Sequence, residues 1–142
     1  MKKTFLILCC SIILLVIVFS FLYYNYQAGI AQAQKNNQEY ESYTTNQILG
    51  SSLMTLMNKA SNDNEKNNVE KDAEGMYIEN DTNSIKIEVK FLEADIIVSM
   101  EKIQSLGEEQ FLKNYRSMSF SCTKKEYHEK TKQIKYLLFE QV

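Results

Sequence analysis

Hydrophobic and polar positions follow three different periods along this chain. From Phe5 to Leu22, eighteen residues pass without a charge, and Ser11 and Ser20 are the only polar side chains among them. At ~1.5 Å rise per residue a helix of that length covers about 27 Å, close to the ~30 Å hydrocarbon core of a bilayer. Between Asn46 and Ala60 the period is that of a helix with one apolar face: Ile48, Leu49, Leu53, Leu56 and Met57 share it, while Ser51, Ser52, Thr55 and Asn58 fall largely elsewhere. From Met76 onward the period is two. Ile85, Ile87, Val89 and Phe91 alternate with Lys86, Glu88 and Lys90, which marks a half-buried strand.

The segments between these patterns complete the layout. Gln27 to Thr45 has no Pro and is rich in Ala, Gln and Glu, so the apolar helix is expected to continue outward as a stalk. Its stripe of Ile30, Ala33, Asn37, Tyr40 and Thr44 is thin, and reads either as a solvated helix or as a face that would gain from a partner. Gly50 predicts a local bend, since Gly costs a helix ~1 kcal/mol relative to Ala. Ser61 to Gly75 holds one large apolar residue, Val69, and reads as a flexible polar loop. MYIE at Met76 forms a short strand before a turn at NDTN, and IIVSMEKI returns antiparallel after the break at Glu93-Ala94-Asp95. Ser105-Leu106-Gly107-Glu108 has capping-box spacing and opens a helix with Phe111, Leu112 and Tyr115 inward. Two further strands, SMSFSCTKKEY and QIKYLLFEQ, meet at a turn near HEKTK.

The pattern therefore predicts an α+β protein. An N-terminal transmembrane helix continues into a long helix that packs on a small antiparallel β-sheet of four or five strands with one further short helix. The expected divisions are a cytoplasmic N-terminus at 1–4, an anchor at 5–24, a stalk and packing helix at 25–60, the polar loop at 61–75 and the sheet domain at 76–142. Residues after Gly75 alone make a core of only marginal size. The Leu53, Leu56 and Met57 face is the layer that would complete it.

Charge orients the anchor. Lys2 and Lys3 precede the apolar run and no basic residue follows until Lys35, which places the N-terminus in the cytoplasm and the rest outside. Tyr23, Tyr24 and Tyr26 then sit where an interfacial aromatic belt belongs. The alternative is a secreted protein released by cleavage after Ala33, because Ala31-Gln32-Ala33 has the small-x-small form of a processing site. A cleavable signal, however, has an apolar region of ~7–15 residues with its site close behind. Cys9 and Cys10 lie too early for a lipoprotein signal and read as small apolar anchor residues.

Composition narrows the chemistry. The chain carries sixteen basic residues, including Lys2 and Lys3, against eighteen acidic ones, so everything beyond the anchor is net acidic and nucleic acid is excluded as a partner. Cys122, Glu126 and His128 share a strand face and could in principle hold zinc. Lys124 intervenes on that face, a second His or Cys is missing outside the anchor, and the expected state is Cys122 following Met118 and Phe120 into the core with His128 solvated at a turn. Glu108 and Glu109 open a helix, where acids are stabilised by the dipole without catalysis. No cofactor and no catalytic residue is expected.

An apolar N-terminal helix that runs outward and lays its distal half on an antiparallel sheet resembles the layout of type IV pilins and pseudopilins. Prepilins carry a Gly just before the apolar helix and a Glu early within it; here no Gly precedes Phe5 and no Glu occurs before Glu39, so the likeness is one of layout. ILGSSLMTLMNKA, NDTNSIKIEVKFL and FSCTKKEYHEKTKQIKYLLFEQ are similar to segments of small membrane-anchored, uncharacterised proteins of Gram-positive gut bacteria. The likeness supplies no activity; an anchor, a stalk and a small domain without a visible site point to a non-enzymatic envelope protein, either a pilin-like subunit or an accessory of envelope assembly. It would contact the lipid bilayer and either envelope protein partners or further copies of itself.

Overall fold

A computed structural model describes residues 2–142. In chain order it contains α1 (Lys2–Thr44), β1 (Ile48–Leu49), α2 (Gly50–Lys66), β2 (Lys86–Phe91), β3 (Ile96–Ser99), α3 (Met100–Leu106), α4 (Glu108–Tyr115), β4 (Ser119–Tyr127) and β5 (Ile134–Gln141). The fold is α+β, with a long N-terminal helix, one five-stranded sheet and short helices, as the hydrophobic pattern predicts.

α1 is a single helix of 43 residues, about 65 Å long at ~1.5 Å per residue. Its first half is long and apolar enough to cross a membrane, and none of its most apolar stretch is covered by the rest of the chain. Its second half changes character because one narrow stripe docks on the domain. Ala33 and Tyr40 are fully buried, and Asn37 between them bonds across to the strand end. The thin stripe thus has a partner within the same chain.

The packing helix differs from the expected continuation of the stalk. α1 ends at Thr44, the chain reverses, and Ile48 and Leu49 pair with Phe120 and Ser119 as a short edge strand. Ile48 is therefore half-buried and Leu49 49% exposed, not members of a helical face. α2 then starts at Gly50 and runs back along α1, so that Lys59 meets Glu39 and Asp63 meets Tyr40. Gly50 makes no bend. A Cβ there would lie 2.0 Å from the Tyr115 carbonyl oxygen, so glycine is needed for the close approach of α2 to the end of α4.

Leu53, Leu56 and Met57 are wholly buried, in one core with Ile87, Val89, Phe120, Leu137 and Phe139 from the sheet. Full burial of each leucine side chain contributes about 1.5–3 kcal/mol. Residues 61–66, expected within the polar loop, complete α2 instead, and Val69 is also buried. The reason is Asn64: its amide donates to the Ile85 carbonyl at 2.8 Å and accepts from the Ile85 amide at 2.8 Å. A polar helix turn is tied to the sheet by a side chain that pairs both polar groups of one backbone residue.

The sheet order is β1-β4-β5-β2-β3. Three of its pairings are antiparallel, while β2 and β5 run parallel, Lys86 beside Tyr136 and Lys90 beside Glu140. Parallel pairing follows from the route: between α2 and β2 the chain returns to the end from which β5 also starts. MYIE is not a strand, and only a single bridge joins Lys71 to Tyr77. IIVSMEKI is strand only to Ser99, whose hydroxyl accepts from the Lys102 amide and caps α3, and Ser105 lies inside that helix, so α4 opens at Gly107 without the expected side-chain cap. Gly107, at φ +99°, separates α3 from α4. Phe111 is buried, and Leu112 and Tyr115 pack against the core.

Candidate functional site

Cys122, Glu126 and His128 do not form a site. A bulge between Cys122 and Lys124 shifts the register of β4 and breaks the shared face. Cys122 is half-buried, and burial pushes its thiol above the usual range, against smaller opposite effects of Lys125 and the Lys124 backbone. The Glu126 carboxylate is held at 2.6 Å by Lys124. His128 is buried rather than solvated; its Nε2 lies 2.7 Å from the Ser84 carbonyl oxygen. A carbonyl only accepts, so Nε2 carries the proton and the ring pins the loop before β2 to the β4–β5 turn. Met118, expected to lead into the core, is 46% exposed. Among the described residues no group of three His, Cys, Asp or Glu side chains is placed to hold a metal.

The remaining sequence-derived residues divide cleanly. Lys2, Lys3, Tyr23, Tyr24 and Tyr26 all lie exposed along the apolar half of α1. Leu53, Leu56 and Met57 belong to the core.

The contacts along α1 define two ends of the domain. Leu49 and Ser119 pair just beyond the end of α1, Lys125 and Tyr127 reach Glu41, and Asn37 takes the Lys132 carbonyl and the Ile134 amide at 2.7 and 2.9 Å. β4 therefore descends beside α1 toward its apolar half, and the β4–β5 turn is the end of the domain nearest to it. β5 and β2 both rise from it, so Phe91 and the β2–β3 turn lie at the far end.

Sequence patterning gave no hint of the groove that opens at that far end. It has a volume of about 290 Å³ and lies between β3 and the α3–α4 pair. Phe91, Ile103, Phe111 and Tyr115 line it. The rings pack on one another, Phe91 to Tyr115 at 4.7 Å and Phe111 to Tyr115 at 5.3 Å between centroids. Ile96 and Leu106, which line it, are each more than half exposed. β3 is an edge strand, paired on one side only with β2, so its other edge offers unpaired backbone groups. Ile96 and Val98 alternate on the groove side of that strand. The signal available in the sequence was IIV followed by a helix, which reads as ordinary core when it is not known to be an edge.

A second concavity, about 300 Å³, lies between α1 and α2 and is polar. Most of its charges are mutually satisfied, Lys66 at its rim apart: Lys59 bridges Glu39 at 2.6 Å and Asp63 at 3.1 Å, and the Tyr40 hydroxyl donates to Asp63 at 2.7 Å. Burial, then Asp63, pushes the Tyr40 phenol far above its usual range. This is a latch between the two helices. No family model matches the chain, and no curated protein or solved structure is significantly similar to it.

Proposed function

We propose that this is a single-pass membrane protein that holds a small extracytoplasmic domain by its own helix and captures an extended, apolar peptide segment of an envelope protein partner at the far-end groove. The observation that carries this reading is the free edge of β3 beside a groove lined by Phe91, Phe111 and Tyr115. A strand added to β3 would gain backbone bonds from the edge and bury alternate side chains in the groove. Glu93 in the groove lining favours a basic residue flanking the apolar ones.

Retention of the anchor is supported by the helix itself. A processing enzyme needs an extended, reachable chain, whereas Ala33 is buried in the middle of an unbroken helix. Cleavage there would require the docked stripe to open.

The test is isotope labelling of Ile methyl groups in the full chain in nanodiscs, titrated with peptides of alternating apolar residues and one flanking lysine. Shifts concentrated at Ile96 and Ile103, and abolished by Ile96→Asp, are expected. Shifts at Ile87 and Ile134 alone, or none with any peptide, would overturn the assignment. Concentration-dependent shifts without peptide would show that the occupant is a second copy.

A further inference from the structure

We propose that the anchor-proximal end of the domain rests on the anionic headgroups of the membrane that α1 crosses. The contact surface is the β4–β5 turn, with Lys130 and Lys132, flanked by Lys35 on α1 and Lys66 at the end of α2. This rests on the anchored reading above and adds a second contact with the same bilayer.

Height carries the argument. Because α1 does not break between the apolar run and the docked stripe, its rise sets the distance between membrane and domain. Taking Tyr24 as the edge of the hydrocarbon, Ala33 lies about 14 Å and Lys35 about 17 Å above it. Ala33 is fully buried, so the domain covers α1 at least down to that height. The headgroup layer itself extends ~5–8 Å beyond the hydrocarbon. The remaining gap of about 6–9 Å below Ala33 is spanned by a lysine side chain together with a helix tilt of ~20° toward the domain.

The chemistry of this end fits headgroups and not an apolar partner. The turn at 128–133, the 66–68 corner and the 80–84 loop contain no exposed large hydrophobic residue, unlike the far end. Lys35, Lys66 and Lys132 have no ion-pair partner among the described residues, while Asp81 is held by Lys130 at 3.1 Å and Glu79 by Lys135. Glu129 and Glu70 are the acids nearby without a cation, so lysines are in the majority here although the domain as a whole is acidic. Oriented lysines on an anionic surface gain the attraction that the rest of the domain would otherwise oppose. Thr131 and Lys130 also tie the turn to the neighbouring loop, through the Thr82 carbonyl at 2.6 Å and through Asp81, which presents the lysines from a braced platform.

The test places one fluorophore on the full chain, at Glu129→Cys or, at the far end, at Asn114→Cys, with Cys9, Cys10 and Cys122 replaced by Ser. Each protein is reconstituted in vesicles of phosphatidylcholine, with or without phosphatidylglycerol, that contain a quencher on the lipid headgroup. Quenching at position 129, none at 114, an increase with phosphatidylglycerol, and loss of that increase in K35Q/K66Q/K132Q are expected. Protein that floats with the vesicles but is quenched equally at both positions overturns this inference alone. Protein that fails to float overturns the anchor and this contact with it.

Discussion

Asn64→Ala tests how the polar half of α2 is held. Asn64 has no exposed surface, and its side chain forms both of its bonds with the backbone of Ile85, each at 2.8 Å. Alanine leaves a buried N–H and a buried carbonyl without partners, and each unpaired group costs about 1–3 kcal/mol. Allowing for partial relaxation, the expected loss is about 3–5 kcal/mol. For a domain of this size that corresponds to a melting point lowered by roughly 12–20 °C. The assay is thermal melting of the full chain in mild detergent, followed by near-ultraviolet circular dichroism of its nine tyrosines; the chain has no tryptophan. Asn64→Asp provides an internal check. An aspartate can replace both bonds only when protonated, so burial raises its folded pKa. Its contribution is then present below the unfolded pKa and is lost as pH rises through the folded value. Melting of Asn64→Ala within ~2 °C of wild type, far inside the expected shift, would refute the reasoning and return residues 61–66 to the loop that their composition suggests.

Three further outcomes follow from individual residues. Gly50→Ala, normally favourable in a helix, is expected to destabilise by about 1–3 kcal/mol through overpacking, because its Cβ would meet the Tyr115 carbonyl; an unchanged or raised melting point would contradict this. Burial opposes ionisation of Glu88, but Lys86 at 2.7 Å and the Tyr136 hydroxyl at 2.6 Å outweigh it and hold the carboxyl below its usual range. Its contribution is therefore present above the unfolded carboxylate pKa and lost as pH falls through the lowered folded value, so Glu88→Gln should flatten the acid limb of a stability–pH curve; equal slopes for both proteins would refute it. Cys122, with its thiol raised by burial, should alkylate more slowly near neutral pH than in the unfolded chain, and equal rates by mass spectrometry would show that it is open.

Much of the architecture was legible in the chain because it follows from periodicity. The alternation of Ile87, Val89 and Phe91 and the helical spacing of Leu53, Leu56 and Met57 each select a face, and those faces meet in one core. What escaped depends on contacts between residues distant in sequence. Asn64 reads as a loop residue until its partner Ile85 is known, and Asn37 dilutes a stripe until Lys132 and Ile134 are seen beside it. Ile48 and Leu49 fit a helical face equally well, and only pairing with Phe120 and Ser119 makes them a strand. Gly50 suggested a bend where the close approach of α4 demands a missing side chain. The far-end groove escaped for the same reason, since IIV looks like interior strand until its position at the sheet edge is established.

The central claim is that α1 remains one piece, anchor and docked stripe together. Intact-mass analysis of the protein recovered from fractionated cells tests it directly. The account predicts an uncleaved chain, Met1 to Val142 in one species, in the membrane fraction. A soluble species beginning at Gln34 would contradict it.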